Sequence, residues 1–107
     1  ERSYTTGVHV QAIDSNMQRY LRLPTSDGVI ITDVEKQSSG DRAGLQIGDV
    51  ILEVDDQEIN APQDIIRVID EGLHKVGDIV KLTILRGNKT KNIQLVLEEP
   101  KSQWWGF

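Results

Sequence analysis

Two histidines, His9 and His74, carry the only side chains of this chain that ordinarily change charge near neutrality. A hydrolytic triad would need one of them between a serine and a carboxylate. The serines at 3, 15, 26, 38, 39 and 102 fall in turns, caps or tails, and none stands in a G-x-S-x-G elbow. There is no cysteine, so thiolate chemistry and a disulfide framework are both excluded. H-E-x-x-H spacing and grouped Cys/His are missing, so the spacing predicts no metal and no cofactor. Asp55-Asp56 and Glu98-Glu99 read as turn and tail charge rather than acid/base pairs. Each histidine reads as a surface group. The chain on its own reads as non-catalytic, and binding is the chemistry left to it.

Composition agrees. With 107 residues, 37% of them hydrophobic and 27% charged, the sequence is that of one ordinary domain with a core of its own. The net charge of −5 argues against broad nucleic-acid or anionic-membrane binding, which depends on neutralising phosphates. No run approaches the roughly 18 apolar residues of a membrane span. No targeting segment is visible, and a chain starting at Glu1 reads as a piece excised from a longer protein. Lack of cysteine suits cytoplasm, periplasm or plastid lumen alike.

The elements that must position a binding site follow from periodicity. Thr6, Val8, Val10 and Ala12 share one face of a first strand, with His9, Gln11 and Ile13 on the other. Asp14 or Ser15 caps a short helix, and Ser15 with Gln18 fits a capping box. Met17, Tyr20 and Leu21 form its expected buried stripe, and Leu23-Pro24 ends it. Val29–Val34 is a short apolar run that reads as a buried strand. Pro62 opens a second helix, with Asp64 in its first turn, running to about Leu73. Val80, Leu82, Ile84 and Ile93, Leu95, Leu97 make two arms of a hairpin around a Gly87-Asn88 turn.

Between the second strand and the second helix lies Ser38–Ile59. Ser39 is expected to cap one helical turn, and Gly44 sits where a left-handed residue is wanted. Leu45 and Ile47 are expected to face the core, and Gly48-Asp49 to turn the chain. Val50, Leu52 and Val54 then alternate as a strand. The whole order predicts an α+β domain, a small, bent, mostly antiparallel sheet of five to six strands capped by two helices.

Ala43, Gly44, Leu45, Gly48, Asp49, Ile51, Val54 and Ile59, in this register, resemble the centre of PDZ domains, in particular those of HtrA/Deg-type serine proteases. The resemblance runs from Tyr4 to about Glu99, which sets the domain at 1–99 and leaves 100–107 as a tail. It implies recognition of hydrophobic C-termini, with the parent protein a serine endopeptidase and a periplasmic or other extracytoplasmic or organellar setting. Other hosts of the same fold are the alternatives: a C-terminal processing protease, an intramembrane protease or a secretion component. So is an assembly module.

The resemblance also assigns a site. Thr5, Thr6, Gly7 and Val8 match the loop whose backbone N–H groups hold a ligand carboxylate, with Thr6, Gly7 and Val8 the candidate donors. Val8, His9, Val10 and Gln11 match the edge to which a peptide adds as a strand. Thr6 stands where that group has an aliphatic residue, and an extra threonine separates Tyr4 from the loop. For Gly7, the plain alternative is an ordinary turn before a strand. Replacing it by valine is expected to block the site and spare the fold. On the second helix Ile65, Ile66 and Ile69 are the proposed groove wall, the alternative being that the whole apolar arc is core. Trp104-Trp105-Gly106-Phe107 is a candidate self-ligand that docks on a neighbouring molecule, or else a tail that packs on its own domain.

Overall fold

A computed structural model describes residues 4–100, so the Trp104–Phe107 segment lies outside the described residues. Among the described residues, six strands and three helices follow in the order β1 (Val8–Ala12), α1 (Ser15–Leu21), β2 (Val29–Val34), α2 (Ser39–Arg42), β3 (Val50–Val54), β4 (Gln57–Glu58), α3 (Pro62–Glu71), β5 (Ile79–Arg86) and β6 (Lys89–Val96). The strands form one antiparallel sheet in the order β1-β2-β3-β5-β6, with the two-residue β4 paired to β3. This is the expected α+β sheet, with two longer helices and one single-turn helix. Among the described residues no helix is long and apolar enough to cross a membrane.

The core gathers alternating residues from every long strand. Val8, Val29, Ile31, Ile51, Val54, Val80, Leu82, Ile84 and Leu95 are closed over by Ile65, Val68 and Ile69 of α3. At about 25 cal/mol per Å² of apolar area, each fully buried aliphatic chain stabilises the fold by roughly 1.5–3 kcal/mol before entropy is counted. The β5–β6 hairpin pairs in continuous register from Ile79↔Val96 to Arg86↔Lys89, around the expected two-residue turn. Strand β3 departs from strict alternation. Its register on β5 shifts between Ile51 and Glu53, which lets Val50, Ile51 and Val54 all be buried and leaves Leu52 half-buried.

Several local expectations are corrected. Helix α1 is capped by Asp14, whose carboxylate accepts the Met17 N–H at 2.7 Å, so the Ser15–Gln18 box does not form. None of its residues is buried, and Tyr20 is 86% exposed. A helical period says that a helix has an apolar side, not which layer it faces, and α3 already closes the core. Leu21 and Leu23 instead line a cleft of about 370 Å³ with Ile30, Val50 and Leu85. The cap of α2 is Ser38 rather than Ser39; its hydroxyl accepts the Asp41 N–H at 3.2 Å. Ile47 is 67% exposed, because the loop between Gly44 (φ +89) and Gly48 (φ +95) turns only Leu45 inward.

Candidate functional site

Three carbonyls anchor the loop that precedes β1. The Thr5 carbonyl accepts the Glu98 N–H at 3.0 Å, while the Thr5 N–H donates to the Glu98 carbonyl at 2.7 Å. The Thr6 carbonyl accepts from Gly40 at 2.9 Å and the Gly7 carbonyl from Glu35 at 2.8 Å. A trans peptide plane points its C=O and the following N–H in opposite directions. Anchoring these three carbonyls therefore turns the N–H groups of Thr6, Gly7 and Val8 away from their anchors, one after another. Thr5, the first residue of the expected loop, spends its own N–H on Glu98 and serves as a brace. The Gly7 N–H has a long contact, 3.4 Å, with the Thr5 hydroxyl.

The anchors are themselves held. The Ser39 hydroxyl donates to the Val96 carbonyl, and Arg42 pairs with Glu98, so α2 is tied to the end of β6 directly beneath the loop. Gly7 lies at φ +75, and a Cβ there would meet the Ser38 Cβ at 2.3 Å. Gly40 is pressed as closely: a Cβ on it would meet Val8 Cγ2 at 2.3 Å and the Thr6 carbonyl at 3.1 Å. The expectation that valine at Gly7 spares the fold is thus overturned, since both backbone conformation and space require glycine. Gly40 and Ser38 were not legible as site residues, because their role is to let two backbones touch.

Beyond the loop, β1 is the last strand of the sheet, and no other described strand pairs with its outer side. The bond from the Glu35 N–H to the Gly7 carbonyl makes Val8↔Val34 a non-hydrogen-bonded pair of the ladder. The Val8 N–H therefore faces the open edge rather than β2. Val8 is fully buried, Val10 packs against the core, and Gln11 is exposed. The register slips between His9 and Val10, so the strict two-face alternation expected for this strand is interrupted there.

Helix α3 packs against β1 and β3. It begins at Pro62, as expected, but its N-cap, Ala61, offers no side-chain acceptor. Asp64 compensates by accepting the N–H groups of Asn60 at 2.9 Å and Ala61 at 3.0 Å. These backbone bonds, with Arg67 nearby, hold the Asp64 carboxyl below the usual carboxylate range. Of the three wall candidates, Ile65 and Ile69 are fully buried in the core and Ile66 is half-buried. Leu73 lies past the end of the helix, 87% exposed.

The two histidines are placed quite differently. His74 Nε2 lies 2.8 Å from Asp55 Oδ2, and its Nδ1 lies 3.7 Å from Asp78 Oδ2. His9 reaches across to the residue that follows β2, its Nε2 lying 3.1 Å from Glu35 Oε1. Among the described residues, neither has a serine among its hydrogen-bond partners.

An antiparallel sheet with an open edge at β1, a helix beside that edge and a glycine loop at its head defines a strand-adding peptide-binding class of domain. By sequence the chain matches the family described as PDZ domain over residues 5–97, and it belongs to that family. It is 36% identical over 75 residues to the serine endoprotease DegS of Haemophilus influenzae, covering 70% of this chain and 22% of that protein. It is 30% identical over 98 residues to a probable periplasmic DegP-like serine endoprotease of Halomonas elongata, covering 91% of this chain and 20% of that protein. The chain thus spans about a fifth of the length of these relatives. Among solved structures it is similar to the HtrA-type protease AlgW with decapeptide, at TM-score 0.79 and 24% identity over 92% of this chain and 30% of that one. The HtrA3 PDZ domain bound to the phage-derived ligand FGRWV is similar at TM-score 0.75 and 20% identity, over 89% of this chain and 85% of that one. The fold is the PDZ fold of the type HtrA proteases carry.

Proposed function

We propose that this domain recognises hydrophobic C-terminal peptides by strand addition to β1, as the substrate-recognition or regulatory domain of an HtrA-like serine endopeptidase. The reading rests on one observation, the anchoring of three successive carbonyls at Thr5, Thr6 and Gly7. Each anchored carbonyl leaves the following N–H on the opposite side of its peptide plane, and a run of such N–H groups is the raw material of a backbone nest for an anion. Thr6, Gly7 and Val8 hold the carboxylate, Val8–Gln11 pairs with the peptide, and Ile66 of α3 flanks the ligand. Solved HtrA-type structures that contain a decapeptide and the ligand FGRWV support the class of ligand. The serine endoproteases among the relatives support the host.

The tail reading belongs to the same proposal. Trp104-Trp105-Gly106-Phe107 has the aromatic character of such a ligand, and every molecule carries one such tail for each groove. The test uses fluorescence anisotropy with one labelled hydrophobic peptide in free-acid and amidated forms. Loss of a charge-assisted set of hydrogen bonds weakens the amide by roughly ten- to a hundredfold. Equal affinity for the two forms would refute the nest. For the tail, sedimentation of the full chain is expected to show association that disappears when residues 104–107 are deleted. An intact chain that stays monomeric and binds peptide as well as the truncated one rules the self-ligand out.

A further inference from the structure

The side chains of His9, Asp33 and Glu35 are not used in the peptide reading, although His9 lies on β1 and the Glu35 N–H anchors the Gly7 carbonyl. They come together through sheet register. His9 and Asp33 face each other across β1 and β2, and Glu35 follows two residues after Asp33. Their ligand atoms all lie within 4.8 Å of one another. His9 and Glu35 are 26 residues apart in sequence, so no local spacing motif could announce the cluster.

We propose that these three side chains form a binding site for a divalent transition-metal ion of the Zn²⁺ class. The donors are one imidazole nitrogen and two carboxylate oxygens, and water completes the sphere. Zn²⁺ takes such ligands at about 2.0–2.2 Å, which draws ligand atoms to roughly 3.3–3.5 Å from one another. His9 Nε2 and Glu35 Oε1 are already 3.1 Å apart. Asp33 is exposed, and one of its oxygens accepts the Val34 N–H at 2.9 Å, which leaves the other to turn inward. Two carboxylates offset the charge of the ion. The imidazole selects against Mg²⁺ and Ca²⁺, which prefer all-oxygen shells.

His74 shows why the arrangement is selective. It also has two carboxylates near it, but they sit on opposite ring nitrogens and cannot converge on one ion. At His9 all three donors meet on one side. A bound ion there would tie β1 to β2 beside the register shift at His9/Val10. It would stiffen the very strand to which a ligand adds.

The experiment is calorimetric titration of the chelator-treated full chain with ZnCl₂, and separately with MgCl₂ and CaCl₂. One Zn²⁺ per chain is expected, with micromolar affinity and a rise in Tm on saturation. Loss of a direct ligand should cost at least as much as loss of a supporting group, so His9→Gln and Asp33→Asn should each weaken binding about tenfold or more. His74→Gln should leave it unchanged. Both altered ligands are on the surface side of the sheet, and the metal-free Tm of each variant reports whether the fold is intact. Absence of saturable Zn²⁺ binding overturns the proposal, as does binding retained in full by His9→Gln or lost in His74→Gln.

Discussion

Asp49 and Arg86, 37 residues apart, close a two-point ion pair that locks the central glycine turn to the tip of the β5–β6 hairpin. Arg86 Nε lies 2.9 Å from Asp49 Oδ1 and an Nη lies 2.7 Å from Oδ2. The carboxylate is 1% exposed and also accepts the Gln46 N–H at 2.9 Å. The same guanidinium donates to the Gly44 carbonyl at 2.9 Å. The hydrogen bond to Asp49 pushes the guanidinium's pKa up, so Arg86 stays charged throughout the working range.

Removing one member strands the other. Asp49→Ala leaves Arg86 facing a buried gap and the Gln46 N–H without its partner. A loss of about 3 kcal/mol is expected, the low end for buried pairs because Arg86 retains some solvent. Arg86→Lys should cost less, yet remain measurable, since lysine cannot reproduce the fork. Denaturant unfolding gives both numbers. A loss under about 0.5 kcal/mol for Asp49→Ala would show the pair to be ornamental, as exposed pairs are.

Sequence reading found the frame well and the neighbours poorly. Strand β2, the start of α3 and the hairpin turn are legible because each is written locally, in an apolar run, in Pro62 and in Gly87-Asn88. The Gly48-Asp49 turn is legible too, but not why Asp49 is an aspartate. Its reason is Arg86, on a distant strand. The same limit hides Gly40, whose missing side chain is needed by Val8, and the meeting of His9 with Glu35. Tyr20 and Leu21 fail for the converse reason: their spacing is helical, but nothing local says that α3 has taken the core face.

Gly7 offers a double test. Alanine there must adopt φ +75 and place its Cβ within 2.3 Å of Ser38 Cβ. Backbone strain alone costs about 1–3 kcal/mol. Gly7→Ala should therefore lower Tm and weaken peptide binding together. Adding Ser38→Gly removes the steric partner and should recover part of the stability while leaving the strained φ. A Gly7→Ala protein with unchanged Tm would mean that the loop is not braced as described.

The two faces of α3 can be separated by single truncations. Ile69 is fully buried in the core, and Ile69→Ala should cost about 2–5 kcal/mol. Ile66 is only half-buried, so Ile66→Ala should lose far less stability. If Ile66 flanks a bound peptide, its truncation should raise the peptide Kd several-fold while Tm barely moves. A large Tm loss with unchanged Kd would make Ile66 core and remove it from the site.

Asp64 gives the fold a defined acid limit at the start of α3. Its folded pKa is lowered, chiefly by the backbone bond from Asn60 and then by the Arg67 side chain. A carboxyl that binds protons more weakly when folded stabilises the fold once it is ionised. That contribution is complete above the unfolded value, near pH 4, and disappears as pH falls through the lowered folded value. Because Ala61 offers no side-chain acceptor, Asp64 supplies the cap alone, and Asp64→Ala should cost about 1 kcal/mol at pH 7. The pair with Arg67 adds little, since both side chains reach solvent. Wild type and Asp64→Ala should converge in stability as pH drops from about 5 to 2. Parallel curves, with the difference undiminished at pH 2, would show that the loss comes from something other than the ionised carboxylate, and would leave the cap of α3 unexplained.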